Sequence, residues 1–372
     1  MNEARRALTF FLPSAEFKAL EPVAGGNINR SFQVELQSGE KYLLQRLSPA
    51  VFPHPGQIMT NLIRVTEHIN AKNRAGAGEE LQVSAPVAAP DGSFFHIDDE
   101  KCCWRLLSWI DHSRTLAGAV TSRQARELGR MLGHFHLFLA DLDPASLYDP
   151  LPGFHHTPTC LAACNQAMAK QPLRGAGEKE CTRFVELFRD RATILEKNRP
   201  HLCRTIIHGD PKVANFLFAE NQDMALALID LDTVMPGLLL HDLGDALRSC
   251  CNPQGEEGEP EKIIFDQDLF AAFLHGYAEQ ATPLLTDRDM DLLIDAPMVI
   301  AFELGLRFFT DYLNGNTYFR VSQPDQNLDR ALVQFHLAAS IEEQRGKLDL
   351  LAGEIMMGAI SKTRHQKLEN QD

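Results

Sequence analysis

Residues 208–218 read HGDPKVANFLF, and few connecting segments need that mixture. An acid (Asp210), a cation (Lys212) and an amide (Asn215) stand between two apolar runs. Fifteen residues past Asn215, after the turn-like ENQD, the run MALALIDLD ends on Asp230 and Asp232. The pattern predicts strand, loop, hairpin and strand, with Asp210, Asn215 and Asp230 gathered at one end of the hairpin. Such a grouping suits phosphoryl transfer. One carboxylate can orient and deprotonate an attacking hydroxyl, while an amide and a second carboxylate hold Mg²⁺ on nucleotide phosphates. Lys212 can add a point charge at the phosphoryl group in transit. The bland alternative is a structural hairpin with solvated acids, which leaves the ordered pairing of the two segments unexplained.

These residues need elements to carry them. The first ~110 residues read as β-rich with one helix, and the remainder as mostly helical. SFQVEL (31–36) and KYLLQRL (41–47) are strand-like on either side of the turn QSGE, and VAGGNIN (23–29) is a glycine-containing loop before them. PGQIMTNLIRVTEHI predicts a helix with Pro55 near its first turn and Ile58, Leu62, Val65 and Ile69 on one face. A strand pair around 94–97 and 102–110 closes this unit. From 121 onward, Thr121 and Gln124 form a capping box ahead of the stripe Leu128, Met131, Leu132, Phe135 and Leu139. His136 falls on that stripe and reads as a core histidine; His134, two residues away, points to another side and shares no metal with it. Residues 143–180 give no reading, and CNPQGEEGEPEK (251–262) reads as an exposed acidic loop.

Composition narrows the partners. A chain of 372 residues has room for two lobes, and 36 basic against 50 acidic residues give a net charge of −14. That balance disfavours nucleic acid and anionic membrane. The eight cysteines include the adjacent pairs Cys102–Cys103 and Cys250–Cys251, with Cys160 and Cys164 at helical spacing, but no CxxC pair of the zinc type, so reduced thiols are expected. The N-terminal stretch MNEARRALTFFLPSAEF has too short an apolar run for an export signal, and no run reaches the ~18 apolar residues of a membrane span. The expectation is a soluble, cytoplasmic protein.

HGDPKVAN resembles the HxDxxxxN catalytic loop shared by protein kinases and the aminoglycoside phosphotransferase family, its second-position glycine favouring the latter. IDLD stands where kinases have the DFG aspartate and the phosphotransferases an IDxx segment. GGNINRSFQV, YLLQRLSPAVFPHP, IDLDTVMPGLLLHDLGDALRS and LRFFTDYLNGNTYFRV are similar to the N-acetylhexosamine 1-kinase branch, so the likeness spans nearly the whole chain. It implies an α+β, two-lobed, protein-kinase-like fold. Residues 1–110 would form a small nucleotide-binding lobe, and 111–372 a larger, mainly helical catalytic and substrate-binding lobe. It also implies ATP and Mg²⁺ as cofactors, Asp210 as base, Asn215 and Asp230 as metal ligands, and Lys212 as a contact to the γ-phosphate. His208 is expected to brace the loop by hydrogen bonds; Asp232 either assists the metal or holds the loop.

For the nucleotide, relatives grip the α- and β-phosphates with a strand lysine, and the matching LLQRL offers Gln45 or Arg46, of which Arg46 is the cation. A solvent-facing strand arginine is its alternative. Glu67 lies opposite the apolar stripe of its helix and reads as exposed. By resemblance Gly25 and Gly26 cover the phosphates or touch the sugar, and adenine meets backbone groups near Leu107 to Trp109. On the acceptor side, Arg307 and Asp311 are four apart on a predicted helix, which alone suggests an i,i+4 ion pair. The resemblance places their segment beside the acceptor, with Tyr318 able to stack on a pyranose ring. Asn27 stands where relatives have a histidine, a departure at a position able to decide between sugars. The expected reaction carries the γ-phosphoryl group of ATP to a sugar hydroxyl, foremost the anomeric hydroxyl of an N-acetylhexosamine. Its rivals are an aminoglycoside, choline or homoserine acceptor, and a catalytically silent nucleotide-binding module.

Overall fold

The computed structural model describes residues 2–23, 29–49, 51–76, 78–116, 118–170, 172 and 175–369. Helix α1 (Asn2–Phe11) leads into strands β1 (Phe17–Val23), β2 (Arg30–Leu36) and β3 (Lys41–Arg46), then helix α2 (Pro55–Arg74) and strands β4 (His96–Ile97) and β5 (Cys103–Ser108). The five strands form one antiparallel sheet in the order β1-β2-β3-β5-β4. Side chains alternate across a strand, and here the two faces have different covers. Val34, Leu44, Trp104 and Leu106 pack with Ala4, Ala7, Leu8 and Phe11 of α1. Leu43 and Leu107 belong instead to the main core, with Leu62, Val65 and Ile69 of α2. The expected stripe of α2 is buried, whereas α1 was not anticipated.

Beyond β5 come β6 (Ser113–Arg114), α3 (Ser122–Leu139), α4 (Thr157–Ala169), α5 (Ala176–Phe188) and α6 (Ile194–Asn198). Strands β7 (Arg204–Ile207), β8 (Phe216–Ala219), β9 (Ala225–Leu228) and β10 (Met235–Leu238) follow. Helices α7 (Leu239–Cys250), α8 (Gln267–Ala281), α9 (Asp287–Asp291), α10 (Asp295–Leu313) and α11 (Gln326–Glu369) complete the described chain. Strand β7 pairs with β10, and β8 lies between β6 and β9, so the segment expected to be a hairpin is one. The whole is a small antiparallel sheet followed by a mostly helical lobe.

Helix α3 starts as its capping box predicts: the Thr121 hydroxyl accepts from the Gln124 amide, and the Gln124 side chain accepts from the Thr121 amide. It crosses α8 at near backbone contact. A Cβ on Gly129 would stand 2.0 Å from the Phe273 carbonyl oxygen, and one on Gly276 would stand 1.9 Å from that of Arg126. The loop at 251–262 departs from the expectation of a purely solvated segment. Cys251 and Asn252 are buried, Glu256 pairs with Arg248 at 3.1 Å and Glu257 pairs with Arg330. Among the described residues, no helix is long and apolar enough to cross a membrane.

Candidate active site

Strand β7 delivers the chain into the loop at 208–215, where four buried groups fix its path. The His208 ring donates from Nε2 to the Ile229 carbonyl (2.9 Å) and accepts at Nδ1 from the Asp210 amide (3.2 Å). Both nitrogens are thereby engaged as in a neutral imidazole, and burial pushes the ring pKa down. The Asp242 carboxylate, in the first turn of α7, accepts from the amides of His208 (2.6 Å) and Gly209 (2.8 Å). His136 holds Asp242 at 2.9 Å and meets the Tyr277 hydroxyl with its other nitrogen. Burial would raise the Asp242 pKa, but the His136 hydrogen bond and charges nearby hold it below the usual carboxylate range. Gly209 adopts φ +85°, and a Cβ there would lie 2.6 Å from the Thr233 carbonyl oxygen. Only glycine fits that approach.

Held this way, the loop turns Asp210 toward the cleft. Its Oδ2 lies 2.5 Å from Lys212 Nζ and 3.2 Å from Asn215 Nδ2. Burial opposes ionisation, yet the Lys212 charge and hydrogen bond keep Asp210 below the ordinary carboxylate pKa, so it is a carboxylate at neutral pH. The Asn215 carbonyl accepts from the Ile229 amide (2.8 Å), which brings Asp230 alongside. Asp230 sits in the left-handed region (φ 67°), a conformation Asp tolerates. Asp230 opens to solvent at the cleft, but the crowding of protein around it and the neighbouring Asp232, against the attraction of Lys212, push its pKa up to about 7. Asn215 and Asp230 are hard oxygen donors in a pocket of excess negative charge, which fits a hard divalent cation. Among the described residues no cluster of three His, Cys, Asp or Glu forms a complete metal cage. A two-residue clamp agrees with an ion that takes its other ligands from phosphate and water.

The small-lobe assignments change. Register pairs Gln45 with Arg105, and Arg46 with Trp104, so strand alternation sends Arg46 to the face covered by α1. There it meets Glu100 (3.2 Å), Glu3 (3.7 Å) and the Cys102 sulfur. Arg46 is therefore not the phosphate-side cation. Gln45 faces the cleft and accepts from Nε and Nη2 of the buried Arg105, whose Nη1 lies 2.6 Å from Asp232. Leu107 is buried in the main core, and the half-buried Trp109 follows the end of β5. Gly25, Gly26 and Asn27 lie outside the described residues. Glu67 is exposed, as expected.

Beside Asp210 a pocket opens, lined from α4's approach, α10 and the segment after it. Arg307 projects over the rings of Phe154, Phe319 and Tyr318, its guanidinium carbon 4.9, 5.5 and 5.8 Å from their centroids. Asp311 does not pair with it. The Asp311 carboxylate is buried and accepts from the amides of Thr317, Tyr318 and Phe319 and from the Asn327 side chain. It shapes the loop that presents Tyr318 rather than lining the pocket, because four convergent donors satisfy it internally. Two lining carboxylates are also engaged: Glu303 with His155 and Thr157, Asp245 with Arg248.

A model of the phosphotransferase enzyme family matches residues 19–286. The chain belongs to that family. Solved structures share its fold at low identity. A microcompartment-associated aminopropanol kinase is 16% identical, with 94% of this chain and 98% of that chain covered and a TM-score of 0.64. The amicoumacin kinase in complex with AMP-PNP, Ca²⁺ and Ami is 14% identical, with 92% and 93% covered and a TM-score of 0.60. An aminoglycoside phosphotransferase from Alicyclobacillus acidocaldarius is 14% identical, with 94% and 96% covered and a TM-score of 0.57.

This phosphotransferase is thus an ATP-dependent enzyme on a kinase-like scaffold. Several of its site residues escaped sequence reasoning. Asp242 lies in HDLGDALRS and reaches the loop only through backbone amides, which no side-chain pattern announces. Arg105 did carry a signal: it interrupts the apolar run CCWRLLSWI, and a charge inside a strand core requires a partner.

Proposed function

We propose that this phosphotransferase carries the γ-phosphoryl group of ATP to a sugar hydroxyl, most specifically the anomeric hydroxyl of an N-acetylhexosamine. Asp210 aligns the hydroxyl and takes its proton, and Lys212 meets the charge of the group in transit. Asn215 and Asp230 hold Mg²⁺, which neutralises the nucleotide phosphates. The boundary near residue 110 separates a nucleotide-binding from an acceptor-binding lobe, and adenine sits by Leu107 and Trp109. A cytoplasmic location completes the reading, in keeping with eight free cysteines.

The observation that carries the sugar over a polyamine is the pocket's charge. Arg307 faces rings rather than an acid, and Arg320 also lines the wall, while Arg248 and Arg330 are held by Asp245, Glu256 and Glu257. The Glu303 and Asp245 carboxylates are already paired. A polycation would meet the Arg307 charge and wall carboxylates that are already engaged, whereas neutral hydroxyls and an acetamido carbonyl find donors and a ring to stack on. The aminopropanol and aminoglycoside enzymes that share the fold define the rival acceptors.

The test is turnover of γ-labelled ATP against a panel of N-acetylhexosamines, simple hexoses, aminoglycosides, choline and homoserine. Label on C1 of an N-acetylhexosamine supports the reading. Label confined to an amine-bearing acceptor contradicts it.

A further inference from the structure

The small lobe must bring positive charge to the phosphate end of the cleft, and the expected β3 cation is turned away. Other basic side chains on this sheet are also engaged elsewhere or face outward: Lys18 pairs with Glu35, Lys41 with Asp111, and Arg30 shares the register of Arg46. Arg105 is different. It is 1% exposed, opposite Gln45 on the inner face, and aimed at the loop after Asp230. Gln45 fixes its angle, accepting at 3.0 Å from Nε and 2.7 Å from Nη2, and donates in turn to the Ser31 hydroxyl. The Nη1 contact to Asp232 is ionic, since neither atom completes an aligned hydrogen bond. Asp232 offers its other oxygen to Asn29, which also accepts from the Ser48 amide. One carboxylate, two residues beyond Asp230, thus joins β5 and the segment leading into β2.

Resting on the phosphotransferase reading above, we propose that Arg105 is a positioning residue for the metal and nucleotide phosphates. Acting from β5 through Asp232, it fixes the loop that carries Asp230. It does from the neighbouring strand what a β3 cation would do, and Gln45 occupies the vacated place as its orienting partner. Cross-strand neighbours stand close enough for the charge to be exchanged between them.

Titration of Mg²⁺ and ATP against turnover tests this. Arg105→Gln should raise both the Mg²⁺ concentration for half-maximal rate and the Kd for ATP roughly tenfold or more, with acceptor KM changed by less than about twofold. Asp232→Asn should do the same, and the double variant should be no worse than the poorer single. Moving the cation, Gln45→Lys with Arg105→Gln, should recover most of the loss. Additive effects of the two single changes, or no recovery on moving the charge, would overturn the inference. Should Arg105→Gln fail to fold, Gln45→Met keeps the charge and removes its guide; a rise of about twofold or more in the same two quantities is then expected, and none would overturn it. Failure of the wild-type enzyme to bind ATP would instead sink the phosphotransferase reading itself.

Discussion

Arg307 and Asp311 lie one turn apart on α10 and act on different parts of the molecule. The arginine is held by three rings and keeps its N–H groups for the pocket, while the aspartate gathers the loop that supplies one of those rings. Arg307→Leu should therefore raise acceptor KM roughly tenfold or more, the size of a lost charged hydrogen bond, and leave ATP affinity unchanged. An unaltered acceptor KM would remove Arg307 from the site. Asp311→Asn should also weaken the acceptor, but through loop disorder, visible as faster amide exchange at residues 317–319. Gly209→Ala tests the catalytic loop's close approach. Forcing a Cβ against Thr233 at positive φ should cost about 1–3 kcal/mol in denaturant unfolding and depress kcat, whereas a neutral result would contradict the packing described.

At the scale of elements, the α3–α8 crossing is the tightest joint in the large lobe. Gly129→Ala should destabilise by at least the ~1–3 kcal/mol of an overpacked core, since the clash is with backbone. Gly346→Ala on α11, where a Cβ meets nothing, should be neutral or stabilise by up to about 1 kcal/mol. Equal effects would show that the helices do not meet there. Elements with strong local signals were legible in the sequence: α2 from its stripe and first-turn proline, α3 from its stripe and capping box, β8 and β9 from the turn between apolar runs. What was not legible depends on distant pairing. Whether position 45 or 46 faces the cleft is a question of register, which the β3 sequence leaves undetermined until β5 is placed beside it. Helix α4 escaped because it is rich in small residues and buries only Thr157, Cys164 and Ala167. Asp210, Lys212 and Asn215 were legible because they share one loop; Asp242 and Arg105 join the site from distant segments.

For the whole molecule, buried histidines set a pH dependence. Burial holds His134, His208 and His241 below the ordinary 6.5, so they are neutral when folded. The unfolded chain takes up protons that the folded one refuses as pH falls through 6.5, so this stability is full above that value and lost below it. His155 opposes the trend: burial lowers it, but Glu303 outweighs burial and raises it, so its contribution is full in acid and lost as pH rises. Asp230, pushed up to about 7, opposes it too, since the folded chain takes up that proton while the unfolded chain stays ionised; Asp230→Asn removes this opposing group, so its melting temperature should fall more steeply than the wild type's on going from about pH 7.5 to about pH 5.5. A flat or rising profile in Asp230→Asn would contradict the neutral core histidines.

The central claim is that Asp210 takes the proton of the attacking hydroxyl at a nucleotide site built by its neighbours. Turnover and ATP binding measured side by side on Asp210→Ala test it most directly. The expected result is a fall in kcat of roughly 10²–10⁴-fold with ATP affinity nearly intact. Turnover at the wild-type rate in that variant would contradict the account.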